Sequence, residues 1–208
     1  MTKWILYSAG YDSTYLVDKI AKETPRNEKI ILLMIGFKIA NNDIYNSQME
    51  KTNKFLEYLN KTNDVTLKTI FIDTELTPYS YGWTQQLWWA IYSLDYVCNK
   101  DTIYFGYHMG DQYWTIEREI RDIINAVKSI HRIEFNVEYP LKYISKDIIY
   151  EYVVNNNLLE HVITCSNPKK IKNKYKECGK CEKCQEIQTA KYALKLSKEC
   201  DICERATC

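Results

Sequence analysis

The sequence predicts an α/β protein, in which helices cover both faces of a parallel sheet and a small helical, metal-binding module follows at the C-terminus. Three observations lead to this fold class. Short apolar runs alternate with segments of helical periodicity through the first three quarters of the chain. Small and hydroxyl residues fill the turn after the first run. Seven of the eight cysteines lie between Cys165 and Cys208.

The alternating segments give five predicted strands and five predicted helices. Strands are predicted at Lys3–Tyr7, Lys29–Ile35, Thr66–Ile72, Thr102–Phe105 and Ile133–Val137. Helices are predicted at Thr14–Lys22, Asn46–Leu59, Thr84–Cys98, Ile116–Ile130 and Ser145–Asn155. Because each helix crosses between two strands, we expect a Rossmann-like parallel sheet, buried on both faces, that binds ligands beyond the carboxyl ends of its strands.

The composition predicts a soluble cytoplasmic protein. The chain has 208 residues, 46% of them hydrophobic, which is enough to bury a sizeable core. The first residues lack the apolar stretch of a signal peptide, and no apolar run approaches the roughly 20 residues that span a bilayer. The net charge is +1, so no overall field attracts nucleic acid. We therefore expect no membrane partner and no stable nucleic-acid partner.

The turn after the first strand, Ser8-Ala9-Gly10-Tyr11-Asp12-Ser13-Thr14, predicts an anion site. Gly10 is expected to take positive φ, and Ala9 is expected to keep the backbone accessible. Hydroxyl groups and the N–H groups of the next helix would then surround an anion. The turn differs from the Walker motif, since no G-x-x-x-x-G-K-[ST] occurs. The alternative is an ordinary capped turn between a strand and a helix.

The cysteine spacing predicts a metal site in the C-terminal module. Asn155-Asn156-Asn157 marks the expected boundary between an α/β domain at 1–155 and this module at 156–208. The pattern C-x12-C-x2-C-x2-C is formed by Cys165, Cys178, Cys181 and Cys184. Four thiolates make a closed tetrahedral zinc site, which is structural because no position remains open for substrate. Free or redox-active cysteines and an iron–sulfur cluster are the alternatives.

Other cysteines and lysines near this motif have simpler interpretations. Cys200, Cys203 and Cys208 are interpreted as free thiols at the chain terminus, since three ligands would need a fourth. Seven lysines lie between positions 169 and 183, where they can offset the net negative charge of a tetrathiolate zinc site. Such runs are also typical of solvated surfaces.

The 8–14 turn resembles the S-G-G-x-D-S loop of the PP-loop ATP pyrophosphatases, with Ala9 in place of a glycine. Together with the four cysteines, it makes the chain similar to the 7-cyano-7-deazaguanine synthase family. Three further segments carry the resemblance: "YFGYHMGD", "PLKYISKDIIYEYV" and "VITCSN". They match family segments at Gly106, Asp111, Lys146 and Cys165. The resemblance extends over roughly residues 3 to 195 and implies a PP-loop (HUP-type) fold.

The family resemblance implies an ATP-dependent ligase that converts 7-carboxy-7-deazaguanine and ammonia into a nitrile through an adenylated intermediate. The product would serve deazapurine modification of tRNA, or of DNA in a phage. ATP, Mg²⁺ and Zn²⁺ are the implied cofactors, and a homodimer is the implied assembly. The residues assigned to the pyrophosphate are Ser8, Ala9, Gly10, Tyr11, Asp12, Ser13 and Thr14. Asp12, Ser13 and Lys146 are the expected catalytic residues, with Asp12 near the metal and Lys146 on phosphate.

The substrate side departs further from the family. Gly106 and Asp111 match it, whereas Lys38 and His108 are candidates that come from their position after strands. Loop aromatics that could stack on a deazaguanine are Trp83, Tyr107, Tyr113 and Trp114. Trp88, Trp89 and Tyr92 are interpreted as core or dimer contacts. Two alternatives therefore stay open: a related enzyme that adenylates another acid or stops at the amide, and a nucleic-acid-binding zinc module without enzymatic activity.

Overall fold

The computed structural model describes residues 1–38, 43–73 and 84–206. The strands are β1 Thr2–Leu6, β2 Lys29–Lys38, β3 Asp64–Asp73, β4 Thr102–Tyr104, β5 Asn136–Glu138, β6 Lys169–Ile171 and β7 Lys174–Lys176. The α-helices are α1 Tyr11–Glu23, α2 Asp43–Leu59, α3 Thr84–Leu94, α4 Glu117–His131, α5 Lys146–Asn155 and α6 Glu182–Ala206. Short 3₁₀ helices lie at Gln112–Thr115 and Leu159–His161. Among the helices of these described ranges, none has the length and apolarity to cross a bilayer.

The first five strands form one parallel sheet in the order β3-β2-β1-β4-β5. All five strands and the five helices between or after them fall where the sequence predicts them. The chain runs outward from β1 to β3 and then returns to place β4 on the other side of β1. A crevice opens at such a switch point, beyond the carboxyl ends of β1 and β4.

Alternate side chains of the strands pack on opposite faces of the sheet. On one face, Ile5, Leu32 and Met34 share a core with α1, α2 and α5. On the other, Trp4 and Ile103 pack against α3 and α4. The inner strands β1, β2 and β4 are therefore covered on both sides, which explains the continuous apolar run of β2.

The C-terminal segment contains a helix, as expected of the predicted helical module, and a hairpin that the sequence did not predict. Strands β6 and β7 form an antiparallel hairpin, and α6 is a long terminal helix. The helix packs on α5, and its Ile187 and Ala190 belong to the same core as Ile149 and Val153. Part of the predicted C-terminal module at 156–208 thus packs into the core of the α/β domain, whereas its two hairpin strands are largely exposed.

Candidate functional site

A cleft of about 450 Å³ opens at the switch point of the sheet. Its walls come from the ends of β1, β2 and β4, from the start of α1 and α5, and from the chain around Cys165. The residues used below that line it are Tyr7, Ser8, Gly10, Asp12, Ser13, Trp89, Gly106, Tyr107, Asp111, Lys146, Thr164, Cys165, Ser166 and Lys183. The cleft therefore lies beyond the carboxyl ends of the strands, where we expect a ligand to bind.

The loop at residues 8–14 turns at Ala9 rather than at Gly10. Ala9 has φ 56°, in the left-handed region, whereas Gly10 has φ −80° and ψ 169°. The predicted positive φ of Gly10 is thus wrong. A left-handed alanine costs on the order of 1 kcal/mol, and here its fully buried side chain is held by the surrounding core. Gly10 is needed for space, since a Cβ would lie 3.3 Å from Ser8 Oγ and from Thr164 Cγ2.

The start of α1 presents unpaired donors to the cleft. Gly10 is the N-cap residue, and no side chain caps the helix. The first N–H groups of a helix have no intrahelical acceptors and attract anions. Next to them, Ser8 N donates to Ser13 Oγ at 3.3 Å, and the two serine hydroxyls lie 3.4 Å apart. The loop therefore gathers hydroxyl and N–H donors in one place.

Two residues assigned to the pyrophosphate have side chains that point elsewhere. Tyr11 packs against Tyr150, with 5.7 Å between ring centroids, and its burial raises its pKa. Thr14 is fully buried, and neither side chain lines the cleft. Only the backbone of these residues is placed to meet a ligand, because the helix turns their side chains into the core.

Lys146 contacts the 8–14 loop through Asp12, which is 134 residues earlier in the sequence. Its Nζ donates to both carboxylate oxygens of Asp12, at 2.8 Å and 2.6 Å. Lys146 is the first residue of α5, and its side chain is 13% exposed. The structure thus brings together the three predicted catalytic residues, Asp12, Ser13 and Lys146, on one wall of the cleft.

Glu186 on α6 joins this group, although no sequence pattern singled it out. Its carboxylate lies 3.6 Å from Lys146 Nζ, 3.5 Å from His108 Nε2 and 3.7 Å from Lys183 Nζ. The hydrogen bond from His108 is the largest cause that lowers the pKa of Glu186, and both lysines add to it; together, against the effect of burial, they bring the pKa to about 2. Glu186 is therefore an anion surrounded by cationic and N–H groups.

Gly106 and Asp111 reach the cleft as the sequence predicts, whereas His108 does not. A Cβ on Gly106 would lie 3.7 Å from Ser13 N, so this glycine stands directly over the helix start. His108 is buried beside Glu186 and is absent from the cleft lining. The side chain of Lys38 and the whole of Trp83 lie outside the described residues.

The aromatic residues around the cleft divide into two groups. Tyr107 and Trp89 line it, and their buried hydroxyl and indole N–H have no hydrogen-bond partner in the described part of the chain. Trp89 packs against the buried Leu33 and Ile35, as our interpretation of it as a core contact predicts, and it also borders the cleft. Tyr113 and Trp114 instead support the loop: Tyr113 stacks under Tyr107, and Trp114 Nε1 donates to the His108 carbonyl at 2.6 Å.

The four predicted ligand cysteines converge on one point. Their sulfur atoms all lie within 4.8 Å of one another, and Sγ of Cys165 and Cys181 are 3.9 Å apart. Four thiolates bound to one tetrahedral ion at ~2.3 Å would stand roughly 3.8 Å apart. The donor set therefore fits a single metal ion, and we call residues 165–184 the knuckle.

Backbone N–H groups favour the thiolate form of two of these cysteines. Cys178 Sγ accepts from Lys180 N at 3.4 Å and from Cys181 N at 3.3 Å, which lowers the pKa of Cys178. Burial opposes ionisation of Cys181, but backbone N–H groups of Cys184 and Ser166 hold its pKa at about 6. Gly179 makes this turn possible with φ 71°. The turn thus prepares thiolates for a metal cation.

The β6–β7 hairpin explains the long gap between the first two cysteines. Lys172 and Asn173 both have positive φ and form its two-residue turn. The paired strands bring the two ends of the hairpin together, so that Cys178 N donates to Cys165 Sγ at 3.1 Å. The hairpin therefore takes up most of the twelve residues between Cys165 and Cys178, so that both cysteines reach one metal site.

The knuckle also forms a wall of the cleft. Ile163 N donates to the Ala9 carbonyl at 2.8 Å, which ties the chain before Cys165 to the 8–14 loop. Thr164 then packs against Gly10, and Cys165 and Ser166 line the cleft. The metal site and the anion site are thus in direct contact through the backbone.

Comparisons with known proteins establish the fold. No protein-family model matches the sequence, and no curated protein matches it. Among solved structures, the U34-tRNA thiolase NcsA from Methanococcus maripaludis, with its [4Fe-4S] cluster, matches with a TM-score of 0.51 and 16% identity. The match covers 96% of this chain and 67% of that chain. At this identity the likeness shows the shared α/β fold.

Proposed function

We propose that this chain is an ATP-dependent ligase that adenylates 7-carboxy-7-deazaguanine and converts it, with ammonia, into 7-cyano-7-deazaguanine. One observation carries the proposal: an uncapped helix start, two serine hydroxyls and a lysine converge at the switch point of a parallel sheet. This arrangement suits a triphosphate. The resemblance of the 8–14 loop to the PP-loop enzymes supplies the reaction class, and its likeness to the deazaguanine family supplies the substrate.

The nucleotide end of the cleft stabilises the charge that leaves with pyrophosphate. Ser8 and Ser13 donate hydroxyl hydrogen bonds, while N–H groups at the start of α1 point at the phosphate oxygens. Lys146 adds positive charge from α5. Asp12, which already binds Lys146, is the residue placed to hold Mg²⁺, which would neutralise phosphate charge during the displacement.

The reaction proceeds by displacement at phosphorus and then at carbon. A carboxylate oxygen of the acid attacks the α-phosphorus, and the bond to pyrophosphate breaks. Ammonia then attacks the acyl carbon; AMP leaves with the former carboxylate oxygen, a proton is released, and an amide remains. The amide oxygen then attacks the α-phosphorus of a second ATP, and the bond to its pyrophosphate breaks. The departure of this oxygen with AMP and the loss of two N–H protons leave the nitrile.

The other end of the cleft supports a flat aromatic substrate. Tyr107, Trp89 and Tyr45 line it, and stacking on such rings suits a planar deazapurine. Asp111 offers a carboxylate there, with one oxygen bonded to Tyr113 N at 2.8 Å. Gly106 leaves room between this end and the start of α1. The acid would therefore lie with its carboxylate toward the nucleotide.

We propose that the knuckle holds one zinc ion with a structural role. In a four-iron cluster each cysteine binds a different iron, so the four cysteine sulfurs must surround the whole cluster. Here they lie within 4.8 Å of one another, which suits a single ion instead. Zinc bound by Cys165, Cys178, Cys181 and Cys184 has no open coordination position. Elemental analysis of the native protein tests this assignment: zinc without iron is expected, and iron with sulfide would contradict it.

Sulfur insertion into tRNA is a second candidate function. It is favoured by the structural neighbour, a U34-tRNA thiolase with a [4Fe-4S] cluster, and by the position of Cys165 on the cleft wall. Such an enzyme would also adenylate its substrate. It would need a tRNA partner, so a salt-dependent gel shift with tRNA, together with thionucleoside formation, separates this candidate from the first.

The test combines two readouts on one reaction mixture. Purified protein is incubated with ATP, Mg²⁺, ammonia and 7-carboxy-7-deazaguanine, and the nucleotides and the deazaguanine products are separated and weighed by mass spectrometry. We expect AMP, pyrophosphate and a nitrile. Ser13→Ala should reduce AMP formation at least tenfold, whereas Ser129→Ala, on the exposed face of α4, should not change it. ATP use without any change in the acid would contradict the proposed substrate.

A further inference from the structure

Glu186 lies where three separate parts of the molecule meet. It belongs to α6, and its carboxylate contacts Lys146 from the first residue of α5 and His108 from the loop after β4. Lys183, one turn earlier on α6, approaches the other carboxylate oxygen at 3.7 Å. The side chain is 30% exposed, so these contacts are partly shielded from solvent.

The ammonium of Lys146 is held between two carboxylates. Asp12 accepts from it at 2.8 Å and 2.6 Å, and Glu186 lies on another side at 3.6 Å. A lysine has four flexible bonds, so a single partner leaves its head free to swing. In the proposed reaction Asp12 also faces Mg²⁺, and Glu186 is then the carboxylate that keeps Lys146 over the 8–14 loop.

His108 ties the substrate side of the cleft to the same carboxylate. Gly110 N donates to His108 Nδ1 at 3.1 Å, so the proton of the neutral ring is on Nε2. That nitrogen faces Glu186 at 3.5 Å. The loop with Gly106 and Asp111 is therefore fixed relative to α6 by this contact.

The knuckle determines where Glu186 stands. Helix α6 begins at Glu182, between Cys181 and Cys184, and Glu186 follows Cys184 by two residues. We propose that Glu186 is a positioning residue, which transmits the position of the knuckle to Lys146 and so sets the geometry of the nucleotide site. This inference rests on the proposed function, since it takes Lys146 to bind ATP.

A double-mutant cycle tests the inference by calorimetric titration of the metal-loaded protein with Mg·ATP. Glu186→Gln should weaken binding about tenfold, which corresponds to about 1.4 kcal/mol, and Glu186→Asp should lose less. Glu119→Gln removes the same charge from the exposed face of α4, away from the cleft and the knuckle, and should change binding less than twofold. In a Lys146→Met background, Glu186→Gln should have no further effect, because its partner is gone.

The outcomes separate this inference from the proposed function. Glu186→Gln that binds ATP as well as the wild type, or that weakens both backgrounds equally, would overturn the positioning role and leave the ATP site intact. A wild-type protein without measurable ATP binding would overturn the proposed function, and this inference with it. Metal content and melting temperature are measured on each variant. If Glu186→Gln loses its metal, the test is made with Glu186→Asp, whose loss of ATP affinity should disappear in the Lys146→Met background.

Discussion

The 8–14 loop and the knuckle are two ways to build a charged site. The loop is made of consecutive residues, and its shape follows from the backbone of Ala9 and from the helix that starts at Tyr11. The knuckle instead takes its ligands from two places, Cys165 and the Cys178–Cys184 turn, which a hairpin brings together. We propose that the first site binds anions and the second a metal cation, and residues of both line one cleft.

The difference shows which site depends on the other. The loop has its own strand and helix, but Ala9 and Gly10 also contact Ile163 and Thr164, immediately before Cys165. The knuckle has little apolar core around its hairpin, whose residues are mostly exposed. We therefore expect damage to the knuckle to spread to the loop, and damage within the loop to stay there.

The largest effect should come from removing a metal ligand. Cys181→Ser should lose most of the bound metal, and with it on the order of 10 kcal/mol of local folding free energy. Because residues 163–164 hold the loop, ATP binding should fall as well. Hydrogen exchange, metal analysis and ATP titration measure the three effects. Cys98→Ser, which changes an exposed cysteine outside the cluster, should leave all three unchanged. Unaltered ATP binding in metal-free Cys181→Ser would contradict the expected dependence of the 8–14 loop on the knuckle.

Lys146→Met comes next, with its effect confined to the loop side. Loss of a charge-assisted contact to phosphate should weaken ATP binding roughly 10- to 100-fold, while the metal stays bound. Calorimetry of the metal-loaded variant gives the affinity. Lys142→Met is the matched control, since Lys142 pairs with Glu117 instead. Equal losses of affinity in the two variants would mean that general charge, and not the position of Lys146, matters.

A glycine-to-alanine substitution in the loop and one in the knuckle should lower the free energy of unfolding equally, but only the loop variant should bind ATP more weakly. Gly10→Ala places a methyl group 3.3 Å from Ser8 and Thr164, and we expect roughly 1 kcal/mol less stability and clearly weaker ATP binding. Gly179→Ala has open space but φ 71°, so strain should cost a similar ~1 kcal/mol. This strain leaves the four metal ligands in place, so the damage should not spread and ATP affinity should stay within about twofold. Denaturation and ATP titration of both variants measure this. Equal losses of ATP affinity would contradict it.

The smallest effect concerns His161, in the short helix that leads into the knuckle. Burial beside Phe55 and Tyr58 lowers its pKa. Since the unfolded chain then binds the proton more readily, the stability from neutral His161 is complete above about pH 6.5 and declines as the pH falls. Denaturation at pH 8, 6 and 5 should show this loss in the wild type and less of it in His161→Gln. His131→Gln, at the end of α4, should keep the wild-type slope.

Much of the fold could be predicted because it rests on periodicity. The continuous run at Lys29–Ile35 indicates a strand buried on both faces and the stripe of α4 indicates one buried face, so the strands, helices and switch point follow from such patterns. The hairpin could not be found in this way, because its lysines alternate with no apolar face and are exposed on both sides. Its turn uses Lys172 and Asn173, and only the asparagine is typical of positive φ.

Motifs gave the candidate residues of the site, but not the contacts between them. The four cysteines follow from their spacing and Lys146 from its family segment, whereas the ion pair between Lys146 and Asp12 was not predicted. Motifs do not report which way a side chain turns, so Tyr11 and Thr14 were assigned to a ligand although the helix directs them into the core. Glu186 could not be found, because its role depends on α6 lying against α5 and the loop after β4.

Exchange of labelled pyrophosphate into ATP tests the central claim most directly, because it reports adenylation in the cleft before any ammonia is added. The metal-loaded protein is incubated with ATP, Mg²⁺, radioactive pyrophosphate and 7-carboxy-7-deazaguanine. The account predicts that label enters ATP only when the acid is present, and that Ser13→Ala slows this exchange at least tenfold. Exchange that needs no acid, or no exchange by protein that binds both ATP and the acid, would contradict it.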